Sequence, residues 1–232
     1  MTTEPADGVC VVPDWPLPPG VRALQTTRVG GASGGPWAGF NLGDHVGDDP
    51  AAVAATRAAL ARRLPAMPVW LAQVHGTAVA AIDEIADGTS PPVADAAVAR
   101  RAGRVCAVMT ADCLPLLFCA RDGSVVAAAH AGWRGLCAGV IEATVAAMDM
   151  PAERLTVWLG PAIGPRAFEV GGEVREAFVA RDAAAASAFV HGEEGRWLAD
   201  LYGLARQRLA ALGVGAVFGG GECTFADAGR YF

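Results

Sequence analysis

The sequence predicts an α/β protein, a layered α/β/α sandwich built on a mixed sheet. Three observations carry that expectation. VCAVMT (105–110), LPLLFCA (114–120) and SVVAAAH (124–130) are closely spaced apolar runs that are continuous rather than alternating, as in strands buried on both faces. Strand-like and helix-like segments mix along the chain without strict βαβ alternation, which favours a mixed sheet with helices on its faces. The 232 residues are 53% hydrophobic and 18% charged, enough to build a large core in one domain over 1–232 after a lead-in over residues 1–25.

The elements follow in order. Arg28 to Pro50 is glycine-dense and loop-like. Asp49-Pro50 reads as an N-cap and first-turn proline, with a helix running to about Arg63 before Pro65 and Pro68 stop it. VWLAQV (69–74) reads as a strand ending at His75, GTAVAAIDEI (76–85) as the next strand, and ADGTSPPVAD (86–95) as a loop. ADAAVARRAG (94–103) is ambiguous between helix and strand. After the three buried strands, LCAGVIEATVAAM (136–148) has helical spacing, LTVWLG (155–160) is a strand, and EVREAFVARDAAAASAF (173–189) is helical. Asp200 lies near the start of a helix that ends at Gly213, and AVFGGGECT (216–224) closes the chain with a strand and a glycine-rich turn.

Composition excludes several functions. All 18 basic residues are arginine, but the net charge is −6 and the pI near 5.2, which argues against a general nucleic-acid surface, so no nucleic-acid partner is expected. No stretch reaches the roughly 18 uninterrupted apolar residues of a membrane span, and the acidic opening MTTEPADGVC is not a signal peptide. Six cysteines (Cys10, Cys106, Cys113, Cys119, Cys137 and Cys223) are scattered without a CxxC pair. A cytoplasmic location is the expectation, with Cys106 and Cys119 as small core hydrophobes.

Of only four histidines, two stand at the ends of apolar runs: His75 in QVHG and His130 in AAAHAGWRG. Cys113, in TADCLP, stands at a third such end. Two imidazoles and a thiolate with one open position is a catalytic zinc set, whereas structural zinc normally takes four protein ligands. The hairpin signal Asp122-Gly123 brings two of them together. With those residues in the turn, Arg121 pairs with Ser124, Pro115 faces His130 and Cys113 faces Gly132. Cys113 and His130 are then diagonal neighbours about 7–8 Å apart, a gap that side chains reaching about 2.0–2.3 Å to a common ion can bridge. His75 cannot be placed by this argument.

The motifs QVHG, TADCLP, HAGWRGL, GPAIG with FEVG, and CT near the end, in this order, resemble the bacterial YfiH-like family, also called the multicopper polyphenol oxidoreductase, laccase-domain or purine nucleoside phosphorylase family. TTRVGGASGGPWAGFNLGDHVGDDP resembles the family's opening, so the likeness runs from about Thr26 to Phe232. It implies a single layered domain and a zinc on His75, Cys113 and His130. It implies phosphorolysis of adenosine, inosine, guanosine and methylthioadenosine, with adenosine deamination, by a monomer or weak homo-oligomer. Some members are linked to editing cell-wall peptide precursors. In the family an arginine-containing segment follows the aromatic pair that matches Tyr231-Phe232, where this sequence stops.

The remaining candidates stay open between two roles each. Zinc deaminases carry a glutamate two residues after a ligand histidine, which His75 and His130 lack; Asp112 is the candidate proton shuttle or a turn cap. Arg28 could supply a phosphate fork, with backbone amides around Gly30 to Gly35 as an anion nest, or belong to an ordinary loop. Asn41 could bind ribose hydroxyls or stabilise a turn, and Arg134 could touch substrate or form a salt bridge. Trp133 reads as packing. Two rivals are a Cys113–His amidase and a zinc-stabilised binding protein with His45 as fourth ligand; His191 reads as surface loop. A multicopper oxidase needs many more histidines, in H-x-H pairs, so that activity is rejected, and zinc is expected ahead of copper.

Overall fold

The computed structural model describes residues 8–86 and 88–232. A two-stranded pair, β1 (Cys10–Val11) with β2 (Gln25–Thr26), leads into α1 (Pro50–Ala61). There follow β3 (Val79–Ala81), β4 (Ala96–Ala99), β5 (Leu114–Ala120), β6 (Val126–Ala131), α2 (Trp133–Ala138), α3 (Val140–Met148) and β7 (Leu155–Leu159). The chain closes with β8 (Glu169–Val170), α4 (Gly172–Val179), β9 (Phe189–His191), β10 (Trp197–Ala199), α5 (Leu201–Ala211) and β11 (Ala216–Gly219).

Six strands form one sheet in the order β11-β7-β5-β6-β4-β3, antiparallel at its centre and parallel at both edges. This is the mixed sheet that the apolar runs predict. Continuous rather than alternating hydrophobicity has its cause here: β4 and β7 are buried at every position because both faces are covered. One face, carrying Leu116, Phe118, Ala129, Val157 and Leu159, packs under α2, α3, α4 and α5 through Leu136, Ile141, Phe178 and Leu204. The other, carrying Cys119 and Trp158, is covered by extended chain around Trp15, whose indole N–H donates to Thr156 at 3.0 Å. Helix α1 packs behind this layer, Leu60 meeting Val9, Cys10 and Phe40.

Local chemistry sets the element ends. Asp49 caps α1 by accepting from Ala51 N–H at 3.0 Å, with Pro50 in the first turn. Asp200 caps α5 by accepting from Gly203 N–H at 2.9 Å, and Gly213 follows that helix with a φ of 89°. The β5–β6 register is the predicted one, Pro115 opposite His130, but the loop spans Arg121–Ser124 rather than two residues. Asp122 accepts from both the N–H and the hydroxyl of Ser124, which stabilises that wider turn.

Several expectations are corrected. VWLAQV is not a strand: only Val69 and Ala72 make single bridges, to Cys106 and Val93. VCAVMT is likewise irregular beyond Cys106, because the N–H and carbonyl of Met109 are both taken by the side-chain amide of Gln73, at 2.8 Å each. GTAVAAIDEI is strand only at Val79–Ala81 and then turns into a 3₁₀ segment, Ile82–Glu84. The ambiguous 94–103 segment is strand β4. The helical stretch 136–148 is split into α2 and α3 at Gly139, whose φ of 111° belongs to the left-handed side of the map. The long helix expected over 173–189 ends at Val179 and restarts as 3₁₀ at Ala183–Ala188, capped by Asp182. The small sheet β8-β10-β9 has no sequence counterpart in the expectations.

Candidate metal centre

Two loops and the end of β6 converge at one end of the central strands. His130 stands near the end of β6, on the face opposite the helices, and is 3% exposed. Cys113 immediately precedes β5, two residues before the Pro115 that faces His130. His75 comes from the irregular 73–76 segment, which Gln73 fastens to Met109 and hence to the approach to Cys113. One donor atom from each of His75, Cys113 and His130 lies within 4.8 Å of the others. His75 Nε2 is 3.7 Å from Cys113 Sγ, and the two imidazole rings meet edge to face at 4.7 Å between centroids.

Small residues make this convergence possible. A methyl group on Gly132 would sit 2.6 Å from His75 Cδ2 and 2.9 Å from Cys113 Sγ, so only glycine leaves room for both side chains. A methyl on Gly135 would sit 2.9 Å from the Gly76 carbonyl oxygen, so that glycine lets α2 press against the His75 turn. The motif HAGWRG thus contributes one donor and the space for the other two.

The surroundings are polar and ordered. His130 Nδ1 lies 2.9 Å from Asp95 Oδ1. Asp95, fully buried, also accepts from the amides of Val74, His75 and Gly76. Burial pushes the Asp95 carboxyl up, but the hydrogen bonds from His130 and these amides outweigh it and hold the group below the usual carboxylate range. Burial, with a smaller contribution from neighbouring His75, pushes the His130 imidazole below its ordinary value against the pull of Asp95. Burial first, then the Asp112 and Asp95 carboxylates, push the Cys113 thiol up to about 11. At neutral pH that thiol keeps its proton unless a cation takes its place. Asp95 escaped the sequence reading because it lies at the end of a stretch read as loop; a lone acid leading into AAVA was the available signal.

The other sequence candidates are placed as follows. Asp112 adopts a φ of 70°, and its Oδ1 accepts from the Thr224 hydroxyl at 2.6 Å. Its carbonyl accepts from Ile163 N–H, so TADC, GPAIG and CT are knitted together at this point. Arg134 is exposed and stacks on the Trp133 ring at 4.5 Å. The Arg28 guanidinium donates to the carbonyls of Ala228, Tyr231 and Ala38 and lies over the Phe232 ring. Asn41 donates to Asp48 and to the Gly43 carbonyl, and accepts from Gly43 N–H. His45 is 68% exposed beside Asp44, and His191 stacks on Trp197; neither joins the three donors.

A mixed-sheet α/β scaffold with an imidazole–thiol–imidazole cluster at one sheet end defines the class of protein. The chain belongs to the family described as multi-copper polyphenol oxidoreductase laccase, whose model matches residues 22–232. It is 57% identical to purine nucleoside phosphorylase PA4543 of Pseudomonas aeruginosa over 96% of this chain and 90% of that protein. It is 55% identical to purine nucleoside phosphorylase YfiH of Escherichia coli, over 96% of this chain and 91% of that one. Among solved structures, Neisseria meningitidis protein NMB0706 superposes with a TM-score of 0.92 at 47% identity, covering 97% of this chain and 92% of that chain. YlmD of Geobacillus stearothermophilus superposes at 0.87 with 28% identity, over 100% and 92%. Among the described residues, no helix is long and apolar enough to cross a membrane.

Proposed function

We propose that this protein is a zinc-dependent purine nucleoside phosphorylase acting on adenosine, inosine, guanosine and methylthioadenosine, with adenosine deamination as a second activity. The observation that carries the reading is the mutual approach of His75, Cys113 and His130 within 4.8 Å, in a chain whose relatives bear the phosphorylase name. Two nitrogen donors and one sulfur suit zinc. His45 and His191 stand apart from the cluster, so a multicopper set finds no further imidazoles there. When bound, the ion supplies Lewis-acid charge stabilisation.

The reaction joins a phosphate oxygen to the anomeric carbon of ribose as the bond from that carbon to the purine nitrogen breaks, and the base leaves carrying a proton. Arg134, exposed beside the centre, is the residue we place on the phosphate. Asp112, next to Cys113, is the proton carrier, with Thr224 fixing its carboxylate. Arg28 and Asn41 serve the substrate side by bracing the glycine-rich opening, through the carbonyl and Asp48 contacts described above. A thiolate amidase is the poorer reading, because an environment that raises the Cys113 thiol to about 11 does not prepare a free nucleophile.

The test is metal analysis of the purified protein followed by release of base from inosine and adenosine, with and without phosphate. The Cys113→Ala variant is expected to lose both zinc and turnover. Turnover retained in that variant removes the reading, and base release that ignores phosphate makes the protein a hydrolase instead. Arg134→Ala is expected to raise the KM for phosphate more than that for nucleoside.

A further inference from the structure

Asp95 directly precedes β4 and stands opposite His130 in the antiparallel β4–β6 ladder, where the His130 N–H donates to its carbonyl at 2.7 Å. Its side chain is fully buried and meets three backbone N–H groups and one ring nitrogen. Oδ1 lies 2.9 Å from both His130 Nδ1 and the His75 amide, and Oδ2 lies 2.6 Å from the Gly76 amide and 3.2 Å from that of Val74. Three consecutive amides thus wrap one carboxylate, the concave arrangement that favours an anion. The residue at the centre of that wrap, His75, has a φ of 59°, a conformation that a bulky residue holds only when its surroundings impose it. Held by three backbone donors, an ionised carboxylate can only accept from the ring, which puts the proton between it and His130 on Nδ1. The Nε2 lone pair is then the one left for the cluster.

We propose that Asp95 is a positioning residue for both imidazole donors: it sets the His130 tautomer through the ring and the His75 direction through the backbone. The proposal rests on reading the cluster as a metal centre and adds to it that the donors are aligned before any ion arrives. Asparagine cannot replace the carboxylate, since its NH₂ group would have to face N–H donors.

Two measurements decide it. In wild-type protein stripped of metal, nitrogen-15 NMR of the histidine side chains is expected to find the His130 proton on Nδ1; a proton on Nε2 overturns the proposal without need of a variant. In Asp95→Asn, competition with a chromophoric chelator is expected to show zinc affinity weakened about 10–100-fold. Wild-type affinity in a folded Asp95→Asn protein also overturns it. Should the wild-type protein bind no zinc, the metal reading falls, and the tautomer measurement still decides whether Asp95 sets the His130 ring.

Discussion

At the scale of single residues, function depends on what is missing as much as on what is present. His75, Cys113 and His130 supply lone pairs, but Gly132 supplies the volume in which two of them meet. A methyl at that position collides with the His75 ring and the Cys113 sulfur, while the backbone there, at φ −60° and ψ 157°, accepts alanine without strain. Gly132→Ala is therefore expected to weaken zinc binding at least about tenfold, with little change in the melting temperature of the metal-free protein. An isothermal titration showing unchanged affinity would contradict this. Residue types and order singled out three residues that the fold brings together. Asp95 stayed hidden, because only the strand register puts its carboxylate against His130.

At the scale of elements, two of the three site residues are carried by segments that are not regular elements. His75 and Cys113 each follow chain that the hydrophobic pattern reads as strand but that makes only isolated bridges. Periodicity reports burial on a pleated or helical surface; it does not report whether the backbone partner is another strand or a side chain. Here the partner is Gln73, whose amide mimics a neighbouring strand for Met109. Gln73→Ala is expected to cost about 1–2 kcal/mol of stability and to loosen the approach of His75 to Cys113. The check is a urea titration run beside a zinc titration, and an unchanged urea midpoint would refute the clamp. The hairpin, by contrast, was legible. Asp122-Gly123 set the register even though the turn is longer than two residues, because lengthening a loop symmetrically leaves the strand pairing in place.

At the scale of the whole molecule, the buried thiols and phenols shift in one direction. Burial pushes Cys106 up to about 12 and Cys119 up to about 11 from an ordinary 9.0. Burial likewise raises the phenols of Tyr202 and Tyr231 above their ordinary 10.0. Tyr202 is held there as a hub, accepting from Ala162 N–H and donating toward the carbonyls of Gly160 and Glu222. For each group the folded state keeps its proton when the unfolded chain has already lost it. Their contribution is therefore whole below the unfolded pKa and declines as pH rises through the interval up to the folded one. The melting temperature is expected to fall progressively above about pH 9, where exposed thiols begin to ionise, and more steeply above about pH 10, where free phenols join them. A melting temperature level between pH 8 and 11 would refute this, and Tyr202→Phe is expected to flatten the upper part of the curve from a lower starting stability.

By itself the sequence determined the class of fold, the buried strands at its centre, the β5–β6 register and which three side chains were candidates to meet. Those follow from short-range causes: hydrophobic pattern, turn chemistry and the ligand preferences of sulfur and imidazole. Only the tertiary structure decided that His75 reaches the other two, that Asp95 joins the His130 ring to the backbone of the His75 turn, and that Gln73 stands in for a strand. Each of those contacts joins segments that are remote in sequence, across 38 residues for His75 with Cys113, 35 for Asp95 with His130 and 36 for Gln73 with Met109. Local propensity carries no information about which distant segments meet; the packing of both sheet faces does.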